Sequence, residues 1–307
     1  MLQMRGALRL VLVALGLFAA MGPAGGSDAQ RGGMFDGQAD VRLVSELDAL
    51  VPGTSGAIGV LFSIDAGWHV YQPSQNDTGV EPSVDWAVDG SAGLSFGGFV
   101  WPAGHRFVQP GEILDHGYEG SVLLMVPVSV PAETPVGGEV TIRGEVEWLA
   151  CDANRCVPGL REVSLTLPVR AEASRGGEAG LFDSARASLG RLLTGSRGEP
   201  VRVAWDGPVM EVSSAGGGRL TFVPGEGCAA VEGLLGSGVG DGALSLRFSG
   251  AAGELVVGWV RVEGAGEAAG GGGGGKSDGA AGGGASGVWL VRTVIGEAPR
   301  HVVGGAE

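Results

Sequence analysis

Two of the chain's three cysteines, Cys151 and Cys156, stand five positions apart in the stretch EWLACDANRCVPG, residues 147–159. Thiols at that spacing admit three chemistries. They can close as a structural disulfide, because strand-like runs on either side make DANR a four-residue turn, and side chains facing each other across it reach the short Cβ separation a bridge needs. They can clip a metal, since Cys-x-x-x-x-Cys lies within the spacings of zinc sites. Or they can exchange: one thiolate attacks a partner's disulfide and the second resolves the mixed disulfide.

Magnitudes and inventory rank these readings. As a staple the ring is small, and loop entropy gives only about 2 kcal/mol for six residues against ~4–5 for a hundred. A bridge that contributes so little is of more interest as one made to open. A metal clip lacks its other half: Cys228 lies in another block, and His69, His105, His116 and His301 form no paired ligand motif. A lone thiol pair suits Cu(I) better than zinc. Neither a metal nor a cofactor is expected. Arg155 would favour a nearby thiolate and Asp152 would oppose it, so the sign of any thiol pKa change is not given by these neighbours alone.

The compartment decides whether such a pair persists as a bridge. The chain opens with Arg5 and Arg9 before an apolar run from Leu10 to Met21, then Pro23 and small residues. This is the pattern of a secretory leader, with cleavage expected after Ala29, or alternatively after Ala24. The run is shorter than the ~20 residues of a membrane-spanning helix. The expected location is therefore periplasmic, without stable membrane insertion after cleavage. A net charge of −14 excludes a nucleic-acid partner, which needs a clustered positive face.

The elements that must position the pair are strands. Residues 57–65, 68–72, 84–88, 94–102, 121–130, 139–151 and 161–169 are rich in Val, Ile, Leu, Phe and Trp and are punctuated by Pro, Gly, Asp and Asn, the spacing of an all-β sandwich over 40–170. Alternation is clearest in VTIRGEVEW, which places Val140, Ile142, Val146 and Trp148 on one face and makes Gly144 a candidate bulge. Leu181, Phe182, Ala185, Leu189 and Leu192 recur at helical spacing and predict a short connector helix within 175–193. A second, smaller strand-rich domain follows over 200–303, interrupted by a low-complexity Gly-rich insertion at 264–287 that cannot bury a core.

From AGWHVYQPSQNDTGVEPSVDW through WPAGHRF, HGYEGSVLLMVPVSVP and EWLACDANRCVPGLREVSLTLP, residues 40–170 resemble the N-terminal periplasmic domain of the thiol:disulfide interchange protein DsbD. The resemblance implies an immunoglobulin-like sandwich. It also implies that Cys151 and Cys156 are a redox couple carrying electrons from a membrane thiol transporter of DsbD type to periplasmic thioredoxin-like proteins, with Cys156 facing the partner. The family covers its cysteines with a loop bearing an aromatic residue, here 104–120, with Phe107 as the lid. Tyr118 is expected to pack beneath the hairpin in support, and Trp68 and Trp148 in the core. The multi-span transporter and the Trp-Cys-x-x-Cys signature are missing from the sequence, so the expectation is one module of a relay. The opposing expectation is a non-catalytic exported scaffold or binding protein whose bridge is structural. Cys228 is expected to be buried and inert.

Overall fold

The computed structural model describes residues 37–89, 93–264, 286–297 and 299; the expected leader at 1–29, most of the Gly-rich tract and His301 lie outside the described residues. The first half runs β1 (Ala39–Ser45), β2 (Ser55–Ile64), β3 (His69–Tyr71), β4 (Ser83–Asp89), β5 (Ser95–Phe96), β6 (His105–Gln109), β7 (Ile113–Tyr118), β8 (Ser121–Ser129), β9 (Glu139–Cys151) and β10 (Cys156–Pro168). Helix α1 (Ala179–Ala187) follows, then β11 (Arg191–Leu192), β12 (Val201–Asp206), β13 (Val209–Ser214), β14 (Arg219–Pro224), α2 (Leu234–Ser237), β15 (Val239–Asp241), β16 (Ala243–Arg247), β17 (Leu255–Glu263) and β18 (Gly287–Val294). The described residues are all-β apart from these two short helices. No helix among the described residues is long and apolar enough to cross a membrane.

Two sheets make the first half. One has the order β1-β2-β8-β5; the other runs β10-β9-β3-β7-β6, with β4 also paired to β9. Val41, Val60, Phe62, Leu124 and Val126 from the first meet Val70, Ile142, Val146 and Trp148 from the second in one core. Along β9 the even positions are buried and Arg143, Glu145 and Glu147 exposed, as the alternation requires. β8 buries five consecutive residues, Val122 to Val126, because its other face is covered as well. There Phe182 and Ala185 of α1 pack on Val44, Leu61, Leu123 and Met125.

Four local expectations are corrected. Gly144 is not a bulge: pairing runs unbroken through it to Val163 on one side and Trp86 on the other. A Cβ there would stand 3.1 Å from Val84 and 3.2 Å from the Trp86 ring, so the position serves close approach. The apolar stretch 94–102 contributes only the two-residue β5, its Phe96 ring stacked on Trp86. The stretch 104–120 is not a loop but a β-hairpin, β6–β7. Leu192 falls beyond the helix in β11, half exposed.

The second half packs the three-stranded sheet β12-β13-β16 on the five-stranded β11-β18-β17-β14-β15 around Met210, Leu246, Leu220, Phe222, Val260 and Val291. β17 and β18 pair up to Val262 opposite Gly287, so the Gly-rich tract joins two antiparallel neighbours.

Candidate functional site

The hairpin β9–β10 ends on the cysteines themselves. Cys151 and Cys156 are register partners, and they are bridged, with Cα atoms 4.1 Å apart. Asp152 makes the turn. Its carboxylate accepts the backbone N–H groups of Asn154 at 2.7 Å and Arg155 at 2.9 Å, and its own N–H donates to the Arg155 carbonyl. That is the mechanism by which Asp closes turns, and the two N–H bonds hold the Asp152 carboxyl below the usual range. Arg155 directs its guanidinium over the Trp68 ring, 5.4 Å from the centroid.

The two cysteines differ in exposure. Cys151 is fully buried, whereas Cys156 is exposed. A partner arriving from solvent therefore meets Cys156.

Strand β3 lies against the buried side, with His69 opposite Cys151. Phe107 of β6 stacks on the His69 ring at 4.6 Å between centroids and 16° between planes, and Tyr71 meets the same imidazole edge-on. Burial lowers the His69 pKa against the opposing pull of Asp115 and Asp152, which favours the neutral ring at neutral pH. Tyr71, fully buried, brings its hydroxyl 3.9 Å from Cys156 Sγ and 3.1 Å from Thr78 Oγ1. Thr78 in turn gives both its N–H and its O–H to Asp115, at 2.9 and 2.6 Å, and Gln109 Nε2 donates to the same carboxylate at 2.8 Å.

Of the sequence-predicted residues, Cys151 and Cys156 are joined and Phe107 reaches them through His69. Tyr118 sits apart, 4% exposed, with its hydroxyl donating to the Pro102 carbonyl at 2.8 Å and its pKa raised by burial. Trp68 and Trp148 are core residues, and the Trp148 indole donates to the Gly37 carbonyl. Cys228 is half-buried beside the second core, and burial pushes its thiol up to about 11. Among the described residues, no three His, Cys, Asp or Glu side chains converge as a metal cluster.

Tyr71, Thr78 and Asp115 were not singled out by sequence reasoning. The one available signal was the Trp-His-Val-Tyr run, whose period-2 pattern puts His69 and Tyr71 on the same face of a strand.

Residues 40–168 match the family model described as thiol:disulfide interchange protein DsbD, N-terminal. Over that segment the chain is similar to DsbD N-terminal domains. The N-terminal periplasmic domain of ScsB from Proteus mirabilis shares its fold with a TM-score of 0.50 at 15% identity, over 85% of this chain and 94% of that one. A fold match of that extent reaches beyond the DsbD-type segment into the second half. The Neisseria meningitidis DsbD N-terminal domain in the reduced form aligns at 12% identity and a TM-score of 0.24, over 44% of this chain and 88% of that one. No curated protein matches the chain. The bridged pair Cys151–Cys156 lies inside the matched segment.

Proposed function

We propose that the protein is an exported, periplasmic relay module whose Cys151/Cys156 couple takes two electrons from a membrane thiol transporter of DsbD type and passes them to thioredoxin-like proteins. The observation that carries the proposal is the asymmetry of the bridge: an exposed Cys156 and a buried Cys151 at the tip of one hairpin, inside the segment that matches the family. In the outgoing half-cycle the Cys156 thiolate attacks the acceptor's disulfide. A mixed disulfide forms, and the acceptor's second sulfur leaves as a thiolate and takes up a proton. Cys151, deprotonated, then attacks Cys156 Sγ; the acceptor departs as a dithiol and the Cys151–Cys156 bond re-forms. The transporter's dithiol reopens it. Phe107, stacked on His69, acts as the lid over the buried flank, and Tyr118 supports β7 from the core.

The test is electron transfer to a thioredoxin-like acceptor. Cys151→Ser and Cys156→Ser should each abolish it, and Cys228→Ser should retain it. Cys151→Ser, which keeps the attacking thiol and removes the resolving one, should accumulate the mixed disulfide. The bridge should also open near the potentials of exchange proteins rather than below about −300 mV, where structural bridges lie. Transfer at the wild-type rate by both serine variants would return the protein to the scaffold reading.

A further inference from the structure

The contacts behind Cys156 have a direction that can be worked out from the far end. Asp115 is fully buried, and as a carboxylate it only accepts. It therefore takes the Thr78 O–H, whose oxygen is 2.6 Å away, as well as the Thr78 and Gln109 N–H groups. With its proton committed, Thr78 Oγ1 has only lone pairs to offer Tyr71, 3.1 Å away, so the Tyr71 O–H must point at Thr78. What Tyr71 then turns toward Cys156 Sγ is oxygen lone pair. The phenol cannot swing away, because Gly79 packs on its ring so closely that a Cβ there would fall 2.1 Å from a ring carbon.

We propose that Asp115 is a positioning residue for the couple: acting through Thr78, it fixes the Tyr71 hydroxyl with its oxygen, not its proton, toward Cys156. This assignment rests on the exchange reading, in which the bridge opens to a dithiol. Once it opens, the Cys156 S–H gains an acceptor, and a thiolate at the same place gains no donor. A hydrogen bond to the neutral form disfavours ionisation. Cys156 is thus held as the less reactive thiol until a docked partner changes its surroundings, which protects an exposed cysteine from small oxidants.

The experiment is the pH profile of iodoacetamide alkylation of the fully reduced full-length protein, read at Cys156 by peptide mass mapping so that Cys151 and Cys228 are scored separately. The charged or titratable groups around this sulfur are His69 and Tyr71 on β3, Asp115 on β7, and Asp152 and Arg155 in the turn. Thr78→Val alters none of these groups. It frees the phenol proton to turn toward sulfur and should move the profile to lower pH, with Cys156 alkylating about fivefold faster below the midpoint, the equivalent of one ordinary hydrogen bond. Tyr71→Phe removes the acceptor and should shift the profile the same way, whereas Thr78→Ser keeps the hydroxyl and should reproduce the wild type. Unchanged profiles in Thr78→Val and Tyr71→Phe, or a shift to higher pH in Tyr71→Phe, would overturn the assignment, the latter showing that Tyr71 donates to the thiolate. Should Thr78→Val fail to fold, the sign of the Tyr71→Phe shift decides alone. Alkylation needs no electron-transfer partner, so these outcomes are separate from those of the serine variants.

Discussion

At the scale of single residues, His116 links the first half of the chain to pH. Its ring is fully buried on β7, and its Nδ1 lies 3.2 Å from Ser74 Oγ, whose own proton goes to the Pro224 carbonyl at 2.8 Å. Ser74 must therefore accept, which puts the proton on Nδ1 and leaves the buried Nε2 without a partner. Burial first, and the neighbouring Arg106 second, push the His116 pKa down to about 4. The folded value lies below the unfolded 6.5, so the neutral ring contributes stability that is complete above pH 6.5 and is lost as pH falls through that value toward 4. The gap corresponds to roughly 3 kcal/mol. Urea melts at pH 7 and pH 4.5 should show a larger loss in wild type than in His116→Gln; equal slopes for the two would mean that the ring is not buried neutral.

Elements were legible where their cause is local. The Cys151–Cys156 hairpin could be read because the turn, its Asp and both flanking strands lie within one continuous stretch, residues 139–168. The β9 face could be read because one side of that strand meets solvent. The continuous burial of β8 follows from α1, some fifty residues downstream, covering its second face, which no period within the strand reports. Tyr71, Thr78 and Asp115 were missed for the same reason: Thr78 and Asp115 are 37 positions apart and meet only because β3 and β7 pair. The Gly-rich tract is a case where composition and topology agree on a test. Its flanks are joined by the Gly264 N–H donating to Ser286 Oγ at 3.0 Å, beside the last β17–β18 pair. Replacing residues 265–285 with a two-residue turn should leave the melting temperature within a few degrees and thiol exchange unchanged, because a short hairpin loop can close the same strand ends. A loss of more than about 1 kcal/mol by denaturant melting would assign the tract a packing role.

Across the whole molecule, the second half grips the segments that follow β3 and precede β6. Gln72 Nε2 and Ser74 Oγ both donate to the Pro224 carbonyl, Gln75 exchanges hydrogen bonds with Ala229 and Val231, and Arg261 donates to the carbonyls of Ala103 and Gly104. Ala103 also packs with Val223 and Trp259. Arg106 of β6 reaches the Leu235 carbonyl at the far side of the same contact. Gln72, Ser74, Gln75 and Arg106 thus bond across to the second half, and Arg261 bonds back to the first.

Leu114 goes further. It belongs by sequence to β7, directly before Asp115, yet it is buried in the core built by Met210, Phe222 and Leu246. A core that borrows a side chain from its neighbour cannot come apart without opening the neighbour's sheet, so heat should be absorbed cooperatively by the chain as a whole. Scanning calorimetry should record a single peak whose calorimetric and van't Hoff enthalpies agree, and Leu114→Ala should lower that peak without splitting it. Two resolved peaks in the wild type would show the halves melting independently, and the redox hairpin would then keep its shape after its companion had unfolded.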